Sequence, residues 1–355
     1  MKKKALVYSP YLDSLGGGER YAMGVARTLA DLGYEVEVAW DNKKILGKLA
    51  RRFGVDVAEL TIIPNFLARG GSWGRWRRTG QYGVVFFISD GSVPLLFSRK
   101  NLLHFQIPFH DVGGRSLFNR LKLVRMSAVV CNSEFTRKVI EKEYGVKGVV
   151  IYPPVAVEEF EPMRKKKMIL SVGRFSQLKQ AKRQDVLVEV FCRMVEEGLS
   201  GWKLVLAGGV GVGTDKKWFR QLKEEAKGYP IEIKENPDFG QLKKLYGTAR
   251  IFWSAAGFEV DEASEPERVE HFGIAVVEAM AAGAVPVVYW AGGHREIVRR
   301  GKSGEGWGSE EELRAKSLKL VEDEKYWGLL SRVAQKDAQK YSFPRFADEI
   351  SALVA

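Results

Sequence analysis

Short apolar runs that alternate with helical runs constrain this 355-residue chain more than any other feature. ALVYSP, ERYAMGVARTLADLG and YEVEVAW read as strand, helix and strand, and YGVVFFIS, NLLHFQ, AVVCNS and GVVIYPP continue the strands. Strands linked through helices form a parallel sheet with the helices laid on its faces. At YPPVAVEEFEPMRKKK the periodicity stops among prolines and charges, which marks a linker. The alternation then resumes with MILSVGRF, KRQDVLVEVFCRMVEEGL, WKLVLAGG, KKWFRQLKEEAKG, IEIKEN, FGQLKKLYGTA, RIFWSA and VPVV. The chain is therefore expected to be α/β, with two doubly wound Rossmann-like domains over residues 1–160 and 161–338 and an amphipathic helix in 339–355.

Such a length is too great for one ordinary core. The opening MKKKALVYSPYLD is basic and then apolar, but its apolar run ends at Pro10 and Asp13 with no small-residue cleavage site, so it reads as a first strand. No apolar run approaches the ~20 residues that span a bilayer. Cys131 and Cys192 stand in unrelated contexts, which argues against a disulfide framework and fits a reducing cytoplasm. Residues 1–160 hold 24 Lys and Arg against 15 Asp and Glu, a balance of +9 that leaves +3 of the net +12 for the remainder. The basic half suggests a polyanion, an anionic membrane surface or an acidic substrate.

The common nucleotide motifs fail on inspection. In AGGVGVGTD the third glycine of a dinucleotide fingerprint is replaced by Thr214, and in RRGKSGEG the first glycine of a phosphate loop is replaced by Glu296. No Cys/His cluster has zinc spacing, no Asp-x-Asp pair suggests a divalent ion, and no nucleophile elbow is present.

EHFGIAVVEAMAAGAVPVV, from Glu270 to Val288, carries the chemistry. The helix IAVVEAMAA starts near Gly273, and its first amides lack intrahelical partners and carry the positive end of the dipole, so they suit a diphosphate. Glu278 lies one turn beyond Ile274 on the same face, roughly 6 Å along the axis. A carboxylate there does not hold phosphate; it accepts hydrogen bonds from paired hydroxyls, as a ribose offers. Glu270 flanks the helix start on the other side, where a sugar attached to the phosphate presents its hydroxyls. The alternative is a solvated helix glutamate and a loop charge.

At these residues the chain resembles the retaining glycosyltransferases of family 4, through the Glu-x7-Glu pattern of EHFGIAVVE. SVGRFSQLKQAKRQD is similar to their Gly-Arg then Lys motif, and GGGE from Gly16 to Glu19 resembles their N-terminal glycine loop. HFGIAVVEAMAAG, LLHFQIPF, VVCNSEFT and VVIYPPV look most like the mannosyltransferase branch that extends lipid-linked oligosaccharides. The resemblance implies the GT-B fold, in which two Rossmann-like domains face a cleft and a C-terminal helix returns to the first. It implies transfer of a mannose- or glucose-type hexose from a GDP- or UDP-linked donor to a lipid-linked or polysaccharide acceptor, with no metal and no cofactor beyond the nucleotide sugar.

Carried onto this sequence, the resemblance gives Arg174 and Lys182 the task of neutralising the diphosphate and the charge that builds on the leaving group. Lys179 stands at the commoner spacing from Arg174 and is the alternative lysine. Glu270 orients the sugar and stabilises charge and need not be a general base, and His104 meets the donor sugar. Glu278, Phe272, Gly273 and Ile274, with Gly17 and Gly18, contact the donor, while Glu19 is either a helix cap or a catalytic group.

Two basic segments bear on the acceptor. GGSWGRWRRTGQYG interleaves Trp73 and Trp76 with Arg75 and Arg77, and KKILGKLARRFG is basic and partly amphipathic. This composition suits an anionic membrane more than nucleic acid, which is not an expected partner; a loop with one buried tryptophan is the plain alternative. The protein is expected to be cytoplasmic and peripheral at the inner face of the membrane. A nucleotide-sugar epimerase of the same fold and a non-catalytic polyanion-binding protein are the competing readings. Polyanion binding has no use for the two carboxylates.

Overall fold

The computed structural model describes residues 3–14, 16–53, 58–69, 77–178, 180–211 and 213–355. Trp73, Arg75, Trp76 and Lys179 lie outside the described residues. The chain divides into two units, Met1–Pro154 with Phe343–Ala355, and Val155–Ser342.

In chain order the first unit comprises β1 (Lys4–Tyr8), α1 (Gly17–Asp31), β2 (Glu35–Ala39), α2 (Ile45–Phe53), β3 (Leu60–Ile63), α3 (Phe66–Arg69), β4 (Val84–Ile88), β5 (Lys100–Phe105), α4 (Leu117–Leu123), β6 (Ala128–Cys131), α5 (Glu134–Tyr144) and β7 (Gly148–Val150). The second comprises β8 (Met168–Val172), α6 (Gln184–Glu196), β9 (Lys203–Gly208), α7 (Lys216–Glu225), β10 (Ile231–Glu235), α8 (Phe239–Thr248), β11 (Ile251–Ser254), α9 (Ile274–Ala281), β12 (Val285–Tyr289), α10 (His294–Ile297), β13 (Glu305–Trp307), α11 (Glu310–Glu322) and α12 (Glu324–Ala338). The last helix, α13 (Phe343–Val354), returns to the first unit.

The strands of the first unit pair in the order β3-β2-β1-β4-β5-β6-β7, and those of the second in the order β10-β9-β8-β11-β12-β13. All the recorded pairings are parallel. Helices on both faces explain the composition of the strands: VVFFI of β4 is buried at every position, as a parallel strand covered on both sides requires. In each sheet the order reverses beside its first strand, at β1/β4 and at β8/β11. Open α/β sheets bind ligands in the crevice outside the carboxyl ends of such strands.

Phe346, Ile350 and Val354 form the i, i+4, i+8 stripe of α13 and enter the first core, where Phe346 sets its edge against the Tyr21 ring at 4.9 Å. The resemblance predicts this helix. Ile45 and Leu49 of α2 are also buried in that core, with Leu46 packed against it, so the described part of the apolar stripe of KKILGKLARRFG is used by the fold. The sequence boundary after 160 and the structural one after Pro154 differ because residues just beyond Pro154 pack in the second unit. The Val155 amide donates to the Tyr341 carbonyl at 2.8 Å, and the Phe160 ring meets Phe239 and Tyr246. At the other end, Tyr341 is held in the second unit by its ring contact with Phe272.

Candidate active site

Three segments meet beyond the carboxyl ends of β8, β11 and β12. Gly173 and Arg174 leave β8, the segment that ends in Glu270 follows β11, and Gly292 to His294 follow β12. Gly292 and Gly293 lie against the backbone of the Glu270 segment. A Cβ on Gly292 would stand 2.3 Å from the Glu270 carbonyl oxygen, and one on Gly293 2.6 Å from that of His271. This close approach lets the Gly293 amide donate to the Glu270 carbonyl at 2.8 Å, which fixes the glutamate's backbone.

The Glu270 side chain is then held from the β8 side. Lys182 donates to Oε2 at 2.6 Å, and Gln180 donates to Oε1 at 3.3 Å and to the Val269 carbonyl at 3.0 Å. The pair is largely enclosed, with 20% of the lysine and 13% of the glutamate side chain exposed. Burial by itself pushes the Glu270 carboxyl up, but the Lys182 ammonium, joined by His294 and His271, more than offsets it and brings it down to about 2. Glu270 is therefore anionic at any physiological pH. His294 is fully buried, and burial lowers its affinity for a proton against the opposing pull of Glu270. It is neutral near pH 7, with Nδ1 donating to the Tyr289 carbonyl at 2.8 Å. Its Nε2 is buried with no partner among the described residues.

Helix α9 begins beside this pair. Gly273 caps it at φ +116°, a left-handed conformation that side chains rarely adopt, and no side chain caps the first turn. The amides of Ile274 and Ala275 thus have no intrahelical acceptor and carry the dipole's positive end. Glu278 follows one turn on and is partly exposed. Arg174 is exposed, and among the described residues no carboxylate pairs with its guanidinium. A buried anion bound to one cation, a free guanidinium, uncapped amides and a second carboxylate are thereby assembled within one unit. Among the described residues no cluster of three or more His, Cys, Asp and Glu is arranged to hold a metal ion.

The Glycosyl transferases group 1 family model matches residues 156–340, just over half of the chain, and the Glycosyltransferase Family 4 model matches residues 15–159. The chain belongs to the group 1 glycosyl transferases. Over 184 residues, 47% of its length, this glycosyltransferase is 32% identical to the Dictyostelium discoideum GDP-Man:Man(3)GlcNAc(2)-PP-Dol alpha-1,2-mannosyltransferase, covering 34% of that protein. The match spans about a third of the length of that mannosyltransferase and of its Neurospora crassa counterpart. A longer match, 26% identical over 76% of this chain and 70% of the relative, is to the alpha-1,3/1,6-mannosyltransferase of Dictyostelium discoideum. The fold is that of a solved glycosyltransferase from Rickettsia africae (TM-score 0.79, 18% identity, covering 99% of this chain and 98% of that one). It is also that of Anabaena HepE, solved with UDP and glucose (TM-score 0.72, 16% identity, covering 99% and 98%). GT-B is therefore the fold of this glycosyltransferase.

Several residues predicted from sequence sit differently from expectation. His104 of β5 is fully enclosed in the first unit, its ring stacked on Tyr21 at 4.0 Å and on Phe86 at 5.4 Å. Burial lowers its pKa to about 3, so it is a neutral core residue with no surface to offer a donor sugar. Phe272 is likewise buried, with its ring edge on Tyr341, and anchors the chain instead of facing a ligand. Gly18 makes room for Gln106, whose Oε1 would lie 1.6 Å from a Cβ there, while Gly17 is exposed in the first turn of α1. Glu19 is the helix cap: its Oε2 accepts from the Gly16 amide at 2.8 Å and from the Ser14 hydroxyl at 2.7 Å. Arg77 is exposed. Sequence reasoning missed Gln180, His294 and the Gly292–Gly293 pair. The two glycines after the strand VPVVY are the signal that points to a close backbone approach.

Proposed function

We propose that this glycosyltransferase moves a mannose- or glucose-type hexose from a GDP- or UDP-linked donor to a lipid-linked or polysaccharide acceptor, with retention at the anomeric carbon and without a metal ion. The observation that carries the reading is the Lys182–Glu270 pair beside the uncapped start of α9. Lys182 spends one of its three donors on Glu270 and has two left for diphosphate oxygens. Arg174 adds a second cation, and the amides of α9 a third source of positive potential. Together they stabilise the charge that builds on the nucleoside diphosphate as the glycosidic bond breaks, the task that a divalent ion performs elsewhere. Glu278 accepts hydrogen bonds from ribose hydroxyls.

Glu270, being fixed in the anionic form, does not deliver a proton. It orients the hexose hydroxyls and balances positive charge on the ring in an oxocarbenium-like transition state. The acceptor hydroxyl then attacks on the face that the diphosphate leaves, so the departing phosphate is the available base. The acceptor class is supported by the relatives' names, which describe mannosyl transfer to a dolichol-linked glycan. No helix among the described residues is long and apolar enough to cross a membrane, and the reading places this chain peripherally at the lipid surface.

Thermal unfolding with UDP, GDP or ADP tests the proposal. A nucleotide at one hundred times its Kd stabilises the fold by about 2.7 kcal/mol, a rise of about 5–10 °C in Tm for a unit of this size, and the rise persists with chelator. No shift with any nucleotide, or one that requires a divalent ion, would falsify the proposed site.

A further inference from the structure

Helix α4 turns its apolar side chains to solvent. Leu117, Phe118 and Leu121, with Val124 at its C-cap, are 72, 76, 64 and 85% exposed, whereas the apolar stripes of α1, α2 and α13 are buried. Leu123 supplies the buried anchor on the opposite side, and Ser116 caps the helix by accepting from the Asn119 amide. At about 100° per residue, Leu117, Leu121 and Val124 fall on one line with Phe118 beside it, while Arg120 and Lys122 fall on its two flanks. From Arg115 to Met126 the sequence holds four cations and no carboxylate. Arg125 is fixed by donation to the Leu96 carbonyl at 2.8 Å, with its guanidinium over the Phe97 ring.

Scattered exposed leucines are ordinary, but four large apolar side chains in one stripe mark an interaction surface. The charge pattern selects its partner. A second copy meeting this face about a two-fold axis sets Arg120 and Lys122 against the same cations. A lipid surface meets both halves of the pattern, with acyl chains for the stripe and phosphates for its flanks. We propose that α4 docks on an anionic bilayer, with Leu117, Phe118, Leu121 and Val124 inserted at the headgroup boundary and Arg120 and Lys122 on lipid phosphates. The proposal rests on the lipid-linked acceptor reading for its purpose and assigns the membrane surface to α4 instead of the tryptophan loop or α2.

Co-sedimentation with vesicles of equal parts phosphatidylcholine and phosphatidylglycerol, and of phosphatidylcholine alone, tests it on the full chain. The parent pellets with the anionic vesicles and less so in high salt. Leu117→Ser/Phe118→Ser/Leu121→Ser and, separately, Arg120→Glu/Lys122→Glu each weaken that binding by more than about tenfold. Leu117, Phe118, Arg120 and Leu121 are exposed and Lys122 is half-buried, so the Tm and its rise with nucleotide stay near the parent's values in both variants. Variants that pellet as the parent does overturn the assignment, as does a parent that binds neither vesicle. A parent dimer that the serine variant converts to monomer, without vesicle binding, gives the face to a second copy and also overturns it. A parent that binds vesicles but shows no nucleotide shift removes the transferase reading and leaves the docking surface standing.

Discussion

Replacing Lys182 by Met removes the cation that keeps Glu270 ionised. The Glu270 carboxyl lies at about 2 in the folded chain against an ordinary 4.5. That difference of about 2.5 units, at 1.36 kcal/mol per unit, corresponds to about 3 kcal/mol of stability at neutral pH. Because the folded value is depressed, this stability is present above pH 4.5 and is lost as pH falls towards 2. In Lys182→Met burial, the largest influence on this carboxyl, is opposed only by the Gln180 hydrogen bond and the weaker pull of His294 and His271, and the Glu270 carboxyl rises above its ordinary value. Its sign then reverses: the carboxylate destabilises the fold at pH 7, and acidification relieves the strain. Removing one partner of an enclosed pair costs about 3–5 kcal/mol, in line with that figure. For the second unit, Val155–Ser342, this is a fall of about 6–12 °C in Tm at pH 7. Glu270→Gln in the Lys182→Met background removes the stranded charge and recovers more than half of the loss. Calorimetry of the parent and both variants at pH 7 and pH 4.5 gives the answer. The reasoning fails if Lys182→Met melts with the parent at pH 7, or if the double variant is no more stable than the single one.

Four further outcomes follow from the same geometry. Glu278→Gln weakens nucleotide binding by about tenfold, as a charge-assisted contact to ribose is lost, while Glu270→Gln mainly lowers kcat; titration and steady-state kinetics separate them. Gly273→Ala, at φ +116° and with a Cβ 3.2 Å from Ile297 Cδ1, costs about 1–3 kcal/mol and misdirects the α9 amides, seen as a lower Tm together with a smaller nucleotide shift. Gly293→Ala drives a methyl into the His271 carbonyl and reduces turnover more than it reduces nucleotide affinity, because it displaces Glu270 and not α9. His104→Phe keeps the aromatic stack and removes a fully buried imidazole whose only polar contact among the described residues is a weak one to the Val130 backbone, so Tm holds or rises and turnover stays near the parent's; a large loss of kcat would reinstate His104 in the site.

The parallel sheets were legible because buried strands such as VVFFI and KLVLAG are apolar without alternation, and because each is followed by a helical period. The start of α9 was legible for a similar reason: a glycine directly ahead of a small-residue helix supplies no side-chain cap, so the first amides stay open. Lys182 was harder, since KQAKRQ offers several cations. What brings Lys182 to Glu270 is the turn at Arg183, which takes a left-handed φ of +47° and is braced by Asp185 and Glu259; the alternative, Lys179, lies outside the described residues. No local propensity announces such a turn in arginine. His104 misled because a histidine after an apolar run looks the same whether it ends in a core or at a surface; only the packing of Tyr21 and Phe86 from distant segments decides. The contrast between α2 and α4 has the same origin. Both read as basic and amphipathic, and which stripe the core takes depends on tertiary placement.

The central claim is retaining transfer from a nucleotide sugar, and proton NMR of the newly formed product tests it most directly. With an α-linked GDP-mannose or UDP-glucose donor and chelator present, the first anomer to appear in the transferred or released hexose should be α, ahead of any mutarotation in the free sugar. A product that is β from the outset, or no turnover of either donor while the nucleoside diphosphate still binds, contradicts the account.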